Sequence, residues 1–296
     1  MVIATGFFDG VHLGHRFILR QLVEEARRRN DESMVVTFWP HPRNVLQDDA
    51  RNLRLLTSME EKKALIRSIG VDHIEVIPFT KEFCRLSAEE YLRDYIVGKF
   101  GGKAILVGYD NRIGSDQCAP EQTAEIARRL GLDVIRPERF VSDAGIVISS
   151  TKIRNSLQTG DIEEADSMLG YQYQLYGVVV SGNRLGHTIG FPTANMQLYE
   201  PLKLIPGNGV YLVKVETLGR VYDGMCNIGV RPTLGSGNAL TVETNIFDFN
   251  EDIYGLDIRI SFVSKIRNEV KFNDFSVLAS QLEKDRAHCR ILLREK

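Results

Sequence analysis

The sequence predicts a two-domain α/β protein. A doubly wound parallel-sheet domain spans residues 1–170, and a small antiparallel β-barrel with a C-terminal helix spans 171–296. Three observations carry this prediction. The 296 residues exceed the usual size of one domain. The first half alternates short, nearly continuous apolar runs with helical periodicity. Near residue 170 the pattern becomes alternating valine, isoleucine and tyrosine, punctuated by glycine, asparagine and proline.

The first-half strands are VIAT (2–5), MVVTFW (34–39), HIEVIPF (73–79), AILVGY (104–109) and DVIRPE (133–138). Each is a nearly continuous apolar run, as expected of strands buried on both faces of a parallel sheet. The first helix follows residue 12. Leu13, Phe17, Ile18, Leu22 and Ala26 form its 3.6-residue stripe, leaving Arg20, Glu24 and Arg27 to water. Ser58 with Glu61 and Ser87 with Glu90 fit capping boxes. Pro120 suits the first position of a helix that Gly131 ends. Strand and helix in alternation place ligands beyond the carboxyl ends of the strands.

The second half supplies QLYGVVVSG, GVYLVKVETL, RVYDGMCNIGV, ALTVETNIFDF and LDIRISFVSKI as strands, about five or six in all, enough for a small barrel. The segment SGNRLGHTIGFPTANM (181–196) reads as a glycine-rich flap after a strand. A last helix starts at Asp274. Its Leu278, Leu282, Cys289 and Leu292 share a face that should cover one side of the barrel.

Composition removes several function classes. A net charge of −2 argues against general nucleic-acid binding. No apolar run reaches the roughly 20 residues a membrane span needs, and the N-terminus reads as a strand, so a cytoplasmic chain without membrane or nucleic-acid partners is expected. The four cysteines are scattered without CxxC spacing, which favours packing over disulfides or zinc.

Two strand-to-helix turns carry the chemistry. GFFDGVHLGH (6–15) sets His12 and His15 three residues apart at a helix start, with Gly6, Gly10 and Gly14 around them. Unpaired N–H groups and the helix dipole favour an anion there, and imidazoles can donate to phosphate. A tight capping turn and a metal pair that includes Asp9 are the alternatives. GIVISSTKIRNSL (145–157) repeats the arrangement with Ser149, Ser150, Thr151, Lys152 and Arg154, hydroxyls and forked cations suited to phosphate oxygens. Thr193 and Asn195 in PTAN offer oxygen ligands to Mg²⁺, or the segment is a turn fixed by Pro192. Glu243, in an otherwise apolar strand, is either a surface carboxylate or a general base facing a cleft.

The pair G-x-F-D-x-x-H-x-G-H and I-S-S-T-x-I-R resembles the signature of the α/β nucleotidyltransferases. With GFPTAN, NIGVRPT, DIYG and KIRNEVKF, nearly the whole chain resembles the bifunctional bacterial riboflavin kinase/FMN adenylyltransferase (FAD synthetase) family. The resemblance implies an ATP-dependent enzyme that phosphorylates riboflavin to FMN and then adenylylates FMN to FAD. Flavins are then substrate and product, and Mg²⁺ accompanies ATP.

By resemblance His12, His15 and Arg154 are catalytic in adenylyl transfer, with Gly6, Gly10, Gly14, Ser150, Thr151 and Lys152 on the ATP phosphates. Glu243 is the kinase base, Thr193 and Asn195 hold the metal, and Gly182, Gly186 and Gly190 form the ATP flap. Asp110, Asn111 and Arg267 are the implied flavin contacts. Phe7, Asn111 and Asn245 depart from the family's usual residues; many members have histidine at the position of Asn245. The alternatives are a riboflavin kinase with an inactive first half and a non-catalytic flavin-binding regulator. A homo-oligomer stays open.

Overall fold

Strand β1 (Val2–Thr5) alternates its side chains between two separate apolar layers, and this alternation organises the first half of the molecule. Val2 and Ala4 join Val35 and Leu106 in one layer, and Ile3 joins Val36 and Ile105 in the other. The computed structural model describes residues 1–41, 53–109, 111–138, 140, 147–182, 186, 190–233, 237–272 and 274–295. The chain divides into two units, Met1–Ser150 and Thr151–Lys296.

In the first unit, α1 (Leu13–Arg28), β2 (Ser33–Trp39), α2 (Met59–Arg67), β3 (His73–Pro78) and α3 (Ala88–Tyr91) follow β1. The last runs on into a π-helical segment, Leu92–Lys99. Then come β4 (Ala104–Leu106), α4 (Pro120–Arg129) and β5 (Asp133–Ile135). The strands form one parallel sheet in the order β3-β2-β1-β4-β5. Order reverses at β1, so the turn after β1 opens at the topological switch point where α/β sheets bind ligands.

The local start and stop signals operate as read. Ser58 and Glu61 exchange hydrogen bonds of 3.1 and 2.7 Å, and Ser87 and Glu90 of 3.2 and 2.8 Å. Pro120 opens α4, and Gly131 (φ 81°) follows its end. Two expectations are corrected. Strands β4 and β5 stop at Leu106 and Ile135, short of the runs to 109 and 138, because Val107 pairs only once with Ile135 before both chains leave the sheet. On α1 the buried stripe is Leu19, Leu22, Val23 and Ala26; Leu13, Phe17 and Ile18, nearer the start of the helix at the carboxyl end of β1, are half-buried.

In the second unit, α5 (Ser150–Thr159, its first residue in the first unit) and α6 (Ile162–Leu169) lead to six strands. They are β6 (Gln174–Val180), β7 (Ala194–Leu198), β8 (Gly209–Thr217), β9 (Arg220–Thr233), β10 (Gly237–Ile246) and β11 (Asp257–Arg267). They close an antiparallel barrel in the order β10-β7-β6-β11-β8-β9. Strand β7 begins within the segment read as a flap and runs on to Leu198, so PTAN ends in a paired strand. Helix α7 (Phe275–Glu295) buries Cys289 against Val210, Leu212, Met225 and Val263, covering one side of the barrel as expected.

Candidate active site

In the first unit the turn after β1 is built from left-handed backbone. Phe8 (φ 51°), Gly10 (φ 79°) and Val11 (φ 37°) all lie where side chains are disfavoured, so two non-glycine residues hold strain at this site. Asp9 holds the turn in place. Its buried carboxylate accepts hydrogen bonds from the Leu56 and Thr57 amides (3.0 and 3.2 Å) and from the Thr57 hydroxyl (3.3 Å). Thr57 in turn accepts from the Gly10 amide at 3.2 Å. Asp9 is therefore an internal anchor.

His12 caps α1, its Nδ1 accepting from the His15 amide at 3.3 Å. An accepting Nδ1 is unprotonated, so the proton of this imidazole sits on Nε2. A Cβ at Gly14 would come within 3.3 Å of that Nδ1, which explains a glycine there. The His15 ring stacks on His12 at 3.6 Å and 16°. Burial first, then His12 and the Lys62 charge, hold the His15 pKa well below its ordinary value. His15 is thus a neutral donor near pH 7, and its Nδ1 has no hydrogen-bond partner. Among the described residues no cluster of three His, Cys, Asp or Glu forms a metal site, so the metal-pair alternative lacks its further ligands.

Ser150, the last residue of the first unit, reaches the turn after β1. The Ser150 hydroxyl donates to the Asp9 carbonyl at 3.0 Å, across 141 residues of sequence. Thr151, Lys152 and Arg154 continue along α5, where Lys152 Nζ lies 3.9 Å from Glu164. Beside the turn, at the carboxyl end of β1, is an apolar cavity of about 370 Å³ lined by Gly6, Phe7, Phe38, Phe79, Phe83 and Tyr91, with Asn111 at its wall. The Asn111 amide donates to the Thr5 carbonyl at 3.1 Å and fixes that wall. Asp110 lies outside the described residues.

In the second unit strand register assembles the polar row. Glu243 on β10 lies directly opposite Asn195 on β7 and, on its other side, opposite Asn227 on β9. Side chains at paired positions share a face, so the carboxylate and two amides form one row. A Cβ on Gly182 would fall 2.3 Å from the Asn195 amide, so glycine lets the chain before the flap press on that side chain. Asn245 donates to the Pro192 carbonyl at 2.7 Å and ties PTAN to β10. Gly190 (φ 79°) takes the left-handed turn before it, and the Gly186 carbonyl accepts from the Phe191 amide at 2.8 Å. Thr193 lines a separate cavity of about 270 Å³ with Glu251, Asp252 and Tyr254.

Arg267 is occupied elsewhere. Its guanidinium grips the buried Asp285 of α7 at 2.8–3.0 Å, tethering helix to barrel. The free Cys226 thiol is buried and pushed up to about 12, too weakly acidic for redox work.

Sequence reasoning passed over three features. Lys62 looked like one charge in the solvated run EEKK, yet it is 1% exposed. Phe79 was read only as the end of a strand and Phe83 was given no role; aromatics just past a strand's carboxyl end were the available signal. Asn227 joins the polar row only through register, which a single strand does not display.

Comparison with known proteins agrees on both halves. Residues 1–152 match the family model for FAD synthetase, and residues 169–293 match the model for riboflavin kinase. The chain is 37% identical to the bifunctional riboflavin kinase/FMN adenylyltransferase of Bacillus subtilis, covering 96% of this chain and 90% of that protein. It is 36% identical to the protein of the same name from Escherichia coli K12, covering 98% and 91%. A crystal structure from Streptococcus pneumoniae, described as a macrolide-efflux protein, superposes with a TM-score of 0.89 at 33% identity, covering 98% and 93%.

Proposed function

We infer the residue chemistry from one premise: the chain belongs to the bifunctional riboflavin kinase/FMN adenylyltransferase family. It phosphorylates riboflavin with ATP to give FMN, then joins FMN to AMP from a second ATP to give FAD and pyrophosphate.

In the kinase half, Glu243 takes the proton from the 5′-hydroxyl as that oxygen attacks the γ-phosphorus and ADP leaves. Thr193 and Asn195 hold Mg²⁺. Their oxygens are the hard donors this cation takes, and Asn195 lies opposite a carboxylate. When bound, the ion neutralises phosphate charge. Asn245 keeps PTAN against β10, and the glycines 182, 186 and 190 let the flap approach ATP. The Asn195–Glu243 register carries this half of the reading.

In the adenylyltransferase half, an FMN phosphate oxygen attacks the α-phosphorus and pyrophosphate leaves, with no protein nucleophile. His12 and His15 donate to the phosphate on which charge builds. Ser150, Thr151, Lys152 and Arg154 hold the outer phosphates, as the family resemblance implies; within the first unit Ser150 is bonded to the turn of the histidines through the Asp9 carbonyl. The aromatic cavity takes the isoalloxazine, because a flat ring system with an apolar dimethylbenzene end packs well among Phe38, Phe79 and Phe83. Asp110 and Asn111 border it. Arg267, implied by resemblance as a flavin contact, has its guanidinium engaged by Asp285 of α7, which supports a structural role for it.

We place the functional boundary at 170/171, since α5 carries phosphate-binding residues of the first activity. The enzyme is cytoplasmic, where ATP is supplied, and acts without nucleic-acid or membrane partners. No described helix is long and apolar enough to cross a membrane. Riboflavin, ATP and Mg²⁺ incubated with the protein yield FMN followed by FAD on chromatography. FMN without FAD would leave a kinase alone, and neither product would favour a flavin-binding regulator.

A further inference from the structure

Lys62 sits on the inner face of α2, one turn before Ile66, and both are buried. Its Nζ has no hydrogen-bond partner and rests 3.6 Å from the centroid of the Phe7 ring, in the same turn that carries the two histidines. A buried ammonium without hydrogen bonds is costly, and a cation–π contact of about 2 kcal/mol offsets only part of that cost. Asp9 attracts the ammonium across space but gives its Nζ no hydrogen bond; its oxygens accept from the Leu56 and Thr57 donors. Lys62 still bears electrostatically on both Asp9 and His15. His15 Nδ1 is a second buried nitrogen without a partner. Two nitrogens without hydrogen-bond partners thus lie at one turn, while the His15 ring is itself neutral.

We propose that Lys62 is a phosphate-contacting residue of adenylyl transfer, supplying the positive charge at this turn that the neutral His15 cannot. The phosphate is that of FMN or one of ATP. Phe7 holds the ammonium until the phosphate arrives, and its ring also lines the aromatic cavity. The proposal rests on assigning adenylyl transfer to this half.

Lys62→Met keeps the buried stem and removes the charge. In a variant whose far-UV circular dichroism and melting match the wild type, kcat/KM for FAD formation should fall on the order of 10²-fold, as for loss of one preorganised donor. Lys62→Arg should recover part of it. A rise confined to the KM for FMN assigns Lys62 to the acceptor phosphate, one confined to the KM for ATP to the donor, and a fall in kcat alone to the reacting phosphorus. A folded Lys62→Met with kcat/KM within about twofold of wild type overturns the proposal, and leaves Lys62 as a buried counter-charge to Asp9. Should Lys62→Met fail to fold, the wild type decides: its kcat/KM for FAD formation must show an alkaline limb near pH 8 that Lys62→Arg moves upward. No limb overturns the proposal. Absence of FAD from the wild type would instead defeat the adenylyltransferase reading itself.

Discussion

At His15 three influences act on one half-buried imidazole. Desolvation, the neighbouring His12 and the Lys62 charge all oppose its protonation, so the ring is neutral near pH 7. The same depression has a stability consequence. The unfolded state binds a proton below about pH 6.5 while the native His15 does not, so stability falls on acidification with a slope of at most about 1.4 kcal/mol per pH unit. His15→Gln should flatten that slope in urea melts between pH 7 and 5.5; an unchanged slope would assign it to other groups. Lys62 carries the opposite consequence for activity. Burial brings it down to about 8, with Asp9 pulling the other way, and beside His15 and His12 it loses its proton as pH rises through that value. FAD formation then declines at alkaline pH while FMN formation does not follow it. These two residues were legible to different degrees: His15 announced itself by spacing, but Lys62 stands among Glu60, Glu61 and Lys63, a pattern that reads as a wet helix face.

At the scale of elements, the polar row depends on β7, which brings Asn195 opposite Glu243. That strand was hidden because Gly190 and Pro192 read as turn residues and β7 begins at Ala194, two positions later. Strands with unbroken apolar runs and helices with capping boxes were legible, since their signals are local. Register and closure are long-range and were not. The strap before β7 is held by the Asn245–Pro192 hydrogen bond, worth roughly 1 kcal/mol net. Asn245→Ala should therefore raise the KM for ATP in the kinase step several-fold with a smaller change in kcat. A KM equal to wild type would show that the strap needs no such tie. The tether between β11 and α7 is stronger. Asp285→Ala leaves the Arg267 guanidinium without its carboxylate in a largely buried position, at a cost of about 3–5 kcal/mol. Chemical denaturation measures it, and a loss below about 1 kcal/mol would mean that solvent reaches the guanidinium.

For the whole molecule, the central claim is that two activities are carried by two separate sets of residues on one chain. The parallel sheet presents His12 and His15 at its switch point, and the barrel presents Glu243, Asn195 and Asn227 on one face. The change of period near residue 170 made this division readable, because parallel and antiparallel sheets bury their strands differently. The most direct test is a flavin chromatogram of His15→Ala and Glu243→Gln, each folded and each given ATP and Mg²⁺. His15→Ala should turn riboflavin into FMN at the wild-type rate and stop there. Glu243→Gln should be slowed about 10²- to 10⁴-fold on riboflavin, yet convert supplied FMN to FAD normally. Loss of FMN formation in His15→Ala, or of FAD formation from FMN in Glu243→Gln, would contradict the division.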